Sequence, residues 1–177
     1  MTLPLRRFTG SVFRAHHPMW AFAPESGEGA RTFGGRFNAP GVAALYTSLS
    51  LETAWLEAQQ GFAFKAQPMT ICSYIVDCEA VLDLRETAGL MATGTTAVDL
   101  ACAWEDLASR RQPVPTWELA KRLRGQGCAG IVVPSFAAKA SVRDANLVFW
   151  SWSRMLPHRV EVIDDLGRLP RTQASWE

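Results

Sequence analysis

The stretch that organises this chain is Gly27-Glu28-Gly29-Ala30-Arg31-Thr32-Phe33-Gly34-Gly35-Arg36-Phe37-Asn38, followed by Pro40-Gly41 and then Ala44-Leu45-Tyr46-Thr47-Ser48. Four glycines allow tight turns and close approach of the backbone to a ligand. Two arginines sit inside that permissive segment. A guanidinium is planar, permanently charged and able to grip a phosphate with two donors at once. A glycine-rich segment carrying Arg and running into a strand therefore reads as a phosphate-gripping element. It matches no nucleotide fingerprint: the chain has neither G-x-G-x-x-G after a strand nor G-x-x-x-x-G-K-[ST].

Outward from that segment, Ser11 to Arg14 reads as a first strand and Val42 to Thr47 as a second. Between them, Ala15 to Gly41 shows no periodicity, and a loop of that length in a small domain is usually functional. Ser50 reads as the N-cap of a helix from Leu51 to Gln60, with Leu51, Ala54, Trp55 and Ala58 forming one buried stripe. Glu57 falls beside the Ala54 edge of that stripe, which leaves the rim of the core and solvent both open to it. Met69 to Asp77 and Ala80 to Leu84 read as separate strands. Thr96 caps a helix reaching Arg110, and Thr116 caps another that stops at Gly125 to Gly127. Ala129 to Pro134, Asn146 to Trp152 and Arg159 to Ile163 complete the strands, with Trp150 and Trp152 on one strand face. Helices and strands do not alternate strictly, so the pattern predicts an α+β fold rather than a doubly wound parallel sheet.

With 177 residues and 48% apolar content, the chain is expected to form one domain with a genuine core. The net charge of +1 gives no broad nucleic-acid footprint. Cys72, Cys78, Cys102 and Cys128 form no C-x-x-C pair, and His16, His17 and His158 complete no zinc pattern. Free thiols and no metal are the expectation. The N-terminal Met-Thr-Leu-Pro-Leu-Arg-Arg-Phe lacks the apolar run of a signal peptide, and no apolar run nears the roughly 20 residues of a membrane span. A cytoplasmic location is expected, with no membrane partner.

Arg14, Arg31 and Arg36 are candidates for a cationic cradle, each with an ordinary alternative as a surface charge stacked on an aromatic ring. Glu57 is a candidate for stabilising positive charge on a sugar; its alternative is an exposed helical Glu. Tyr46 can pack on a ring or belong to the core, and Ser135, after Pro134, can bind or simply start a turn. His16 and His17 lack an evident partner carboxylate, which favours a structural or solvent role for both.

Taken in order, Phe13-Arg14-Ala15, Ser26 to Arg31, Gly34-Gly35-Arg36-Phe37-Asn38, Ala44-Leu45-Tyr46, Glu57 and Val133-Pro134-Ser135 resemble the RES domain family, named for its Arg, Glu and Ser. The resemblance runs from about Phe13 to at least Phe149, within a single domain over 1–177 whose core spans about 11–163. It implies an α+β fold like that of ADP-ribosyltransferases, with a mixed, mostly antiparallel sheet and flanking helices. It implies the toxin of a bacterial toxin–antitoxin pair, partnered by an Xre-like antitoxin and acting on NAD as substrate. The implied reaction is ADP-ribosyl transfer to a protein acceptor, with NAD phosphorolysis or hydrolysis as the alternative outcome. A non-catalytic nucleotide- or DNA-binding regulator is the competitor from a different class. On this resemblance the catalytic pair is Glu57 and Arg36, and the NAD-binding residues are Arg14, Arg31, Arg36, Tyr46 and Ser135. The family Ser falls most naturally on Ser135, with the segment around Thr116-Trp117 as the competing assignment.

Overall fold

The computed structural model describes residues 2–59 and 68–176. Six strands run in chain order as β1 (Arg6–His16), β2 (Leu45–Ser48), β3 (Thr70–Asp83), β4 (Gly130–Pro134), β5 (Ala145–Phe149) and β6 (His158–Val162). The helices are α1 (Glu28–Phe33), α2 (Leu51–Ala58), α3 (Thr87–Thr93), α4 (Ala97–Leu100), α5 (Trp104–Ser109) and α6 (Pro115–Gly125). The sheet order is β1-β2-β5-β4-β3-β6, and β1 also pairs with β3. The pairings β1–β2, β2–β5, β5–β4, β4–β3 and β3–β1 thus form a closed circuit, with β6 alongside β3. All are antiparallel except β3–β4. The expected mixed, mostly antiparallel sheet is what forms.

A parallel pair needs a long crossover. Here it is the segment between β3 and β4, which carries α3 to α6 and covers one side of the sheet. Leu100, Leu119 and Leu123 from that segment join Leu82, Ile131, Val133 and Val148 in one core. The second core, on Val12, Leu45, Tyr74, Val76, Leu147 and Phe149, is drawn from the strands. In β3 the period of two is plain: Cys72, Tyr74, Val76 and Cys78 are buried, while Ile71 and Ile75 are exposed.

Several boundaries differ from the sequence reading, each for a local reason. The strands read at Met69 to Asp77 and Ala80 to Leu84 are one strand. Ala80 has a φ of 60°, and the register with β1 shifts between Arg6 and Phe8. That irregularity lies where β3 exchanges one neighbour, β6, for another, β4. The apparent loop from Ala15 to Gly41 contains α1, a helix too short to show periodicity. The helix read from Thr96 to Arg110 is two: the predicted Thr96 cap forms a capping box with Asp99, but the chain breaks between α4 and α5. Thr116 is not a cap. Val114 holds that position, Pro115 opens α6, and Thr116 is buried inside the first turn. Ser50 does cap α2, accepting from the Thr53 amide at 3.1 Å. Leu51, however, is 46% exposed, and the buried residues of α2 are Thr53 and Ala54. Gln60, the expected helix end, lies outside the described residues. Trp150 and Trp152 lie beyond the end of β5 and pack against different cores, not on one strand face.

Candidate active site

The turn that carries Arg36 is held from three sides. Gly34, with φ 76°, redirects the chain after α1, and Gly35 and Asn38 exchange backbone bonds of 2.9 and 3.3 Å. The Tyr46 hydroxyl accepts from the Phe37 amide (2.9 Å) and donates to Asn38 Oδ1 (2.8 Å). Asn38 Nδ2 donates to the carbonyls of Ala30 (2.7 Å) and Val42 (2.8 Å). Indole N–H groups donate to two carbonyls of the turn: Trp117 to Gly35 (2.8 Å) and Trp150 to Phe37 (2.9 Å). A Cβ on Gly35 would lie 2.6 Å from the Tyr46 hydroxyl oxygen and 2.8 Å from Asn38 Oδ1. Gly35→Ala is therefore expected to destabilise the fold by about 1–3 kcal/mol and to weaken any ligand bound through Arg36. Urea denaturation alongside ligand titration measures both.

Arg36 itself donates through Nη1 to the carbonyls of Cys102 (2.6 Å) and Leu100 (3.2 Å). Its guanidinium carbon lies 4.4 Å from the centroid of the Phe136 ring. Both alternatives raised for it are combined in one residue: the charge stacks on an aromatic ring and also lines a cleft. Arg14, on β1, donates through Nη1 to the carbonyls of Pro24 and Ser26, each at 2.9 Å, and so fastens the segment entering α1. Tyr74 donates to the same Pro24 carbonyl at 2.7 Å. Burial pulls both guanidinium pKa values below their ordinary value; Tyr74 opposes this at Arg14, and Cys102 and then Glu57 at Arg36. An arginine so placed stays cationic.

Glu57 lies at the inner rim of α2. Its Oε1 accepts from Ser135 Oγ at 2.6 Å and from Asn146 Nδ2 at 2.5 Å. The sheet register brings these groups together, because Ser48 pairs with Asn146, and Asn146 with Val133. Ser48 Oγ donates to Asn146 Oδ1 at 2.8 Å, which turns the amide nitrogen towards Glu57. The start of α2 is tied to the same region: Thr53 donates to Asp144 at 2.5 Å, and the Ser135 amide donates to the Asp144 carbonyl at 2.8 Å. A carboxylate oriented by two donors is pre-set in direction, which is what electrostatic stabilisation of a developing cation requires.

These residues surround a cleft with two adjoining lobes of about 310 and 420 Å³. Arg14, Tyr46, Glu57 and Asn146 line both lobes and so mark the junction. The smaller lobe adds Phe13, Ala15, His16, Ser48 and Ala54; the larger adds Arg36, Phe33, Trp104, Glu105 and Phe136. His16 is buried, with Nδ1 3.0 Å from the His17 carbonyl and Nε2 3.7 Å from the Cys72 thiol. Burial lowers its pKa, which favours the neutral ring. The Tyr46 hydroxyl is occupied within the protein, leaving the ring as its contribution to the cleft.

The structure therefore gathers Arg14, Arg36, Tyr46 and Glu57 around one space. Ser135 stands behind Glu57 rather than on the cleft wall. Arg31 does not line either lobe; it is exposed and pairs with Glu28 at 3.3 Å. Thr116, the competing position for Ser135, is buried in α6 with its hydroxyl 3.8 Å from the Cys102 thiol. Asn146 escaped the sequence reading as a site residue. Its signal was present: one polar side chain directly before the apolar run Leu147-Val148-Phe149. Phe136 and Trp104 gave no such signal, since aromatic residues are ordinary core residues. Among the described residues no three His, Cys, Asp or Glu side chains cluster as a metal site would, and the four cysteines are free thiols. No helix among the described residues is long and apolar enough to cross a membrane.

The chain is thus an α+β domain whose mixed sheet carries a cleft lined by two arginines and a braced carboxylate. Residues 11–172 match the RES domain, and the chain belongs to that family. Among solved structures, it is similar to the toxin in the crystal structure of the M. tuberculosis MbcT–MbcA toxin–antitoxin complex. That match has a TM-score of 0.60 and 21% sequence identity, covering 90% of this chain and 84% of the other. No curated protein sequence matches the chain.

Proposed function

We propose that this chain is the toxin of a toxin–antitoxin pair and that its cleft cleaves NAD between nicotinamide and ribose. The observation that carries the reading is Glu57, held by Ser135 and Asn146 at the junction of the lobes with Arg14 and Arg36 beside it. NAD brings a diphosphate for the arginines and a ribose for the carboxylate. As the C1′–N bond breaks, nicotinamide leaves as a neutral molecule with the bonding pair, and positive charge spreads over C1′ and the ring oxygen. Glu57 stabilises that charge. The acceptor's lone pair then bonds to C1′, and the acceptor gives up its proton. Nicotinamide is already a good leaving group, so positioning and electrostatics carry the reaction.

The preferred acceptor is a side chain of a target protein, making the reaction ADP-ribosyl transfer on the cytoplasmic NAD pool. Membership of the RES family and the likeness to a toxin–antitoxin complex support an antitoxin partner, here of Xre type. Expression of the chain alone is expected to arrest bacterial growth, and co-expression of the antitoxin encoded beside it to restore growth. With adenylate-labelled NAD in a cell extract, label fixed on protein supports transfer. Free ADP-ribose or its phosphate would instead mean that the chain degrades NAD.

Ser135 acts through Glu57 in this reading. Ser135→Ala removes one donor to a carboxylate, an interaction of about 1.5–3 kcal/mol. The expected result is a fall in kcat of about tenfold or more with KM little changed, and recovery in Ser135→Thr. Steady-state kinetics on the three proteins checks it.

A further inference from the structure

The larger lobe has aromatic walls that the cleavage chemistry does not use. Phe33, the last residue of α1, is 78% exposed although it lines this lobe. Trp104, the first residue of α5, lines the same lobe and is half-buried. It leans on Trp117, with centroids 6.5 Å apart and planes at 48°. Both aromatics are carried by backbone close to Arg36. Phe33 lies three residues before Arg36, and the Trp104 amide shares the Cys102 carbonyl with Arg36, at 2.8 and 2.6 Å. The larger lobe thus brings the Glu57 carboxylate, the Arg14 and Arg36 guanidinium groups and the two aromatic side chains to one space.

Outward from the scissile ribose, NAD presents a diphosphate, a second ribose and then a planar base. An exposed aromatic at the mouth of a cleft leaves apolar area in water, and a base stacked on it removes that area. The smaller lobe lacks Arg36 and is the less spacious of the two, which suits the nicotinamide. We propose that Phe33 and Trp104 form the subsite for the adenine base of NAD, and that they set the preference for a dinucleotide over a mononucleotide. This rests on the NAD reading above and adds which end of the substrate lies in which lobe.

The test compares nicotinamide release from NAD and from nicotinamide mononucleotide, which lacks the adenylate. Phe33→Ala and Trp104→Ala are each expected to raise KM for NAD about tenfold, the size of one lost stacking contact. In both variants kcat for NAD and kcat/KM for the mononucleotide should stay at the wild-type values, and Phe33→Tyr and Trp104→Phe should restore KM. Phe33 is exposed, so its truncation leaves the fold intact even if that of Trp104 does not. An unchanged KM for NAD in Phe33→Ala, or an equal loss on both substrates, would overturn the subsite. Wild-type protein that cleaves the mononucleotide as efficiently as NAD would overturn it too, while leaving the cleavage reading in place. Release from neither substrate would remove the cleavage reading and the subsite with it.

Discussion

Glu57→Gln is expected to lower kcat for nicotinamide release by about 100- to 1000-fold, the usual size for loss of one electrostatic stabiliser. Gln keeps the shape of the side chain and still presents an oxygen to Ser135 and Asn146, which donate to Glu57 Oε1 among the described residues. What it loses is the negative charge that meets the ribose as positive charge develops. The interaction is made in the transition state more than in the ground state, so KM for NAD should stay near the wild-type value. Growth inhibition should disappear with kcat. Matched circular dichroism and urea midpoints for the two proteins would separate this from misfolding. A variant that kept full kcat would remove Glu57 from the chemistry.

The second large effect is expected at Arg36. Arg36→Ala should reduce kcat/KM for NAD by roughly a hundredfold, as each charge-assisted contact to phosphate contributes about 1.5–3 kcal/mol. It should also lower stability by about 1–2 kcal/mol, because the carbonyls of Cys102 and Leu100 lose their donor and the Phe136 ring loses its cation. Arg36→Lys should recover little. An ammonium is a single point charge and cannot serve two backbone carbonyls and a phosphate while stacking flat on a ring. Substrate kinetics and urea denaturation on the same preparations would report the two losses separately. An Arg36→Lys protein with wild-type kcat/KM would show that charge alone matters and that the fork geometry does not.

Much of this site was legible in the sequence, and the residues that were not share a reason. Glycines and arginines between Gly27 and Asn38 announced a turn able to present cations, and the structure uses Gly34 and Gly35 for that turn. Spacing alone showed Glu57 as a helical Glu near an apolar edge, and the family resemblance marked it as catalytic. What brings it into the cleft is the long-range pairing of β2, β5 and β4, which sets Ser48, Asn146 and Ser135 around it. Side-chain spacing along one helix carries no record of that pairing. The same applies to Arg31 and Arg36. Both occupy the glycine-rich stretch, but α1 turns Arg31 outward to Glu28 while the following turn directs Arg36 inward. The hidden break between α4 and α5 matters for function too, since the carbonyls that hold Arg36 belong to Leu100 and Cys102 at that break. A periodicity reading that runs one helix through it would have left those carbonyls bonded within the helix.

Cleavage of the bond between nicotinamide and ribose is the reaction proposed for this cleft. The most direct test is to incubate the purified, antitoxin-free chain with NAD and quantify free nicotinamide over time. Steady release by the wild-type protein, abolished in Glu57→Gln, is the expected result. Folded wild-type protein that leaves NAD intact, in the presence of cell extract as a source of acceptors, would contradict it.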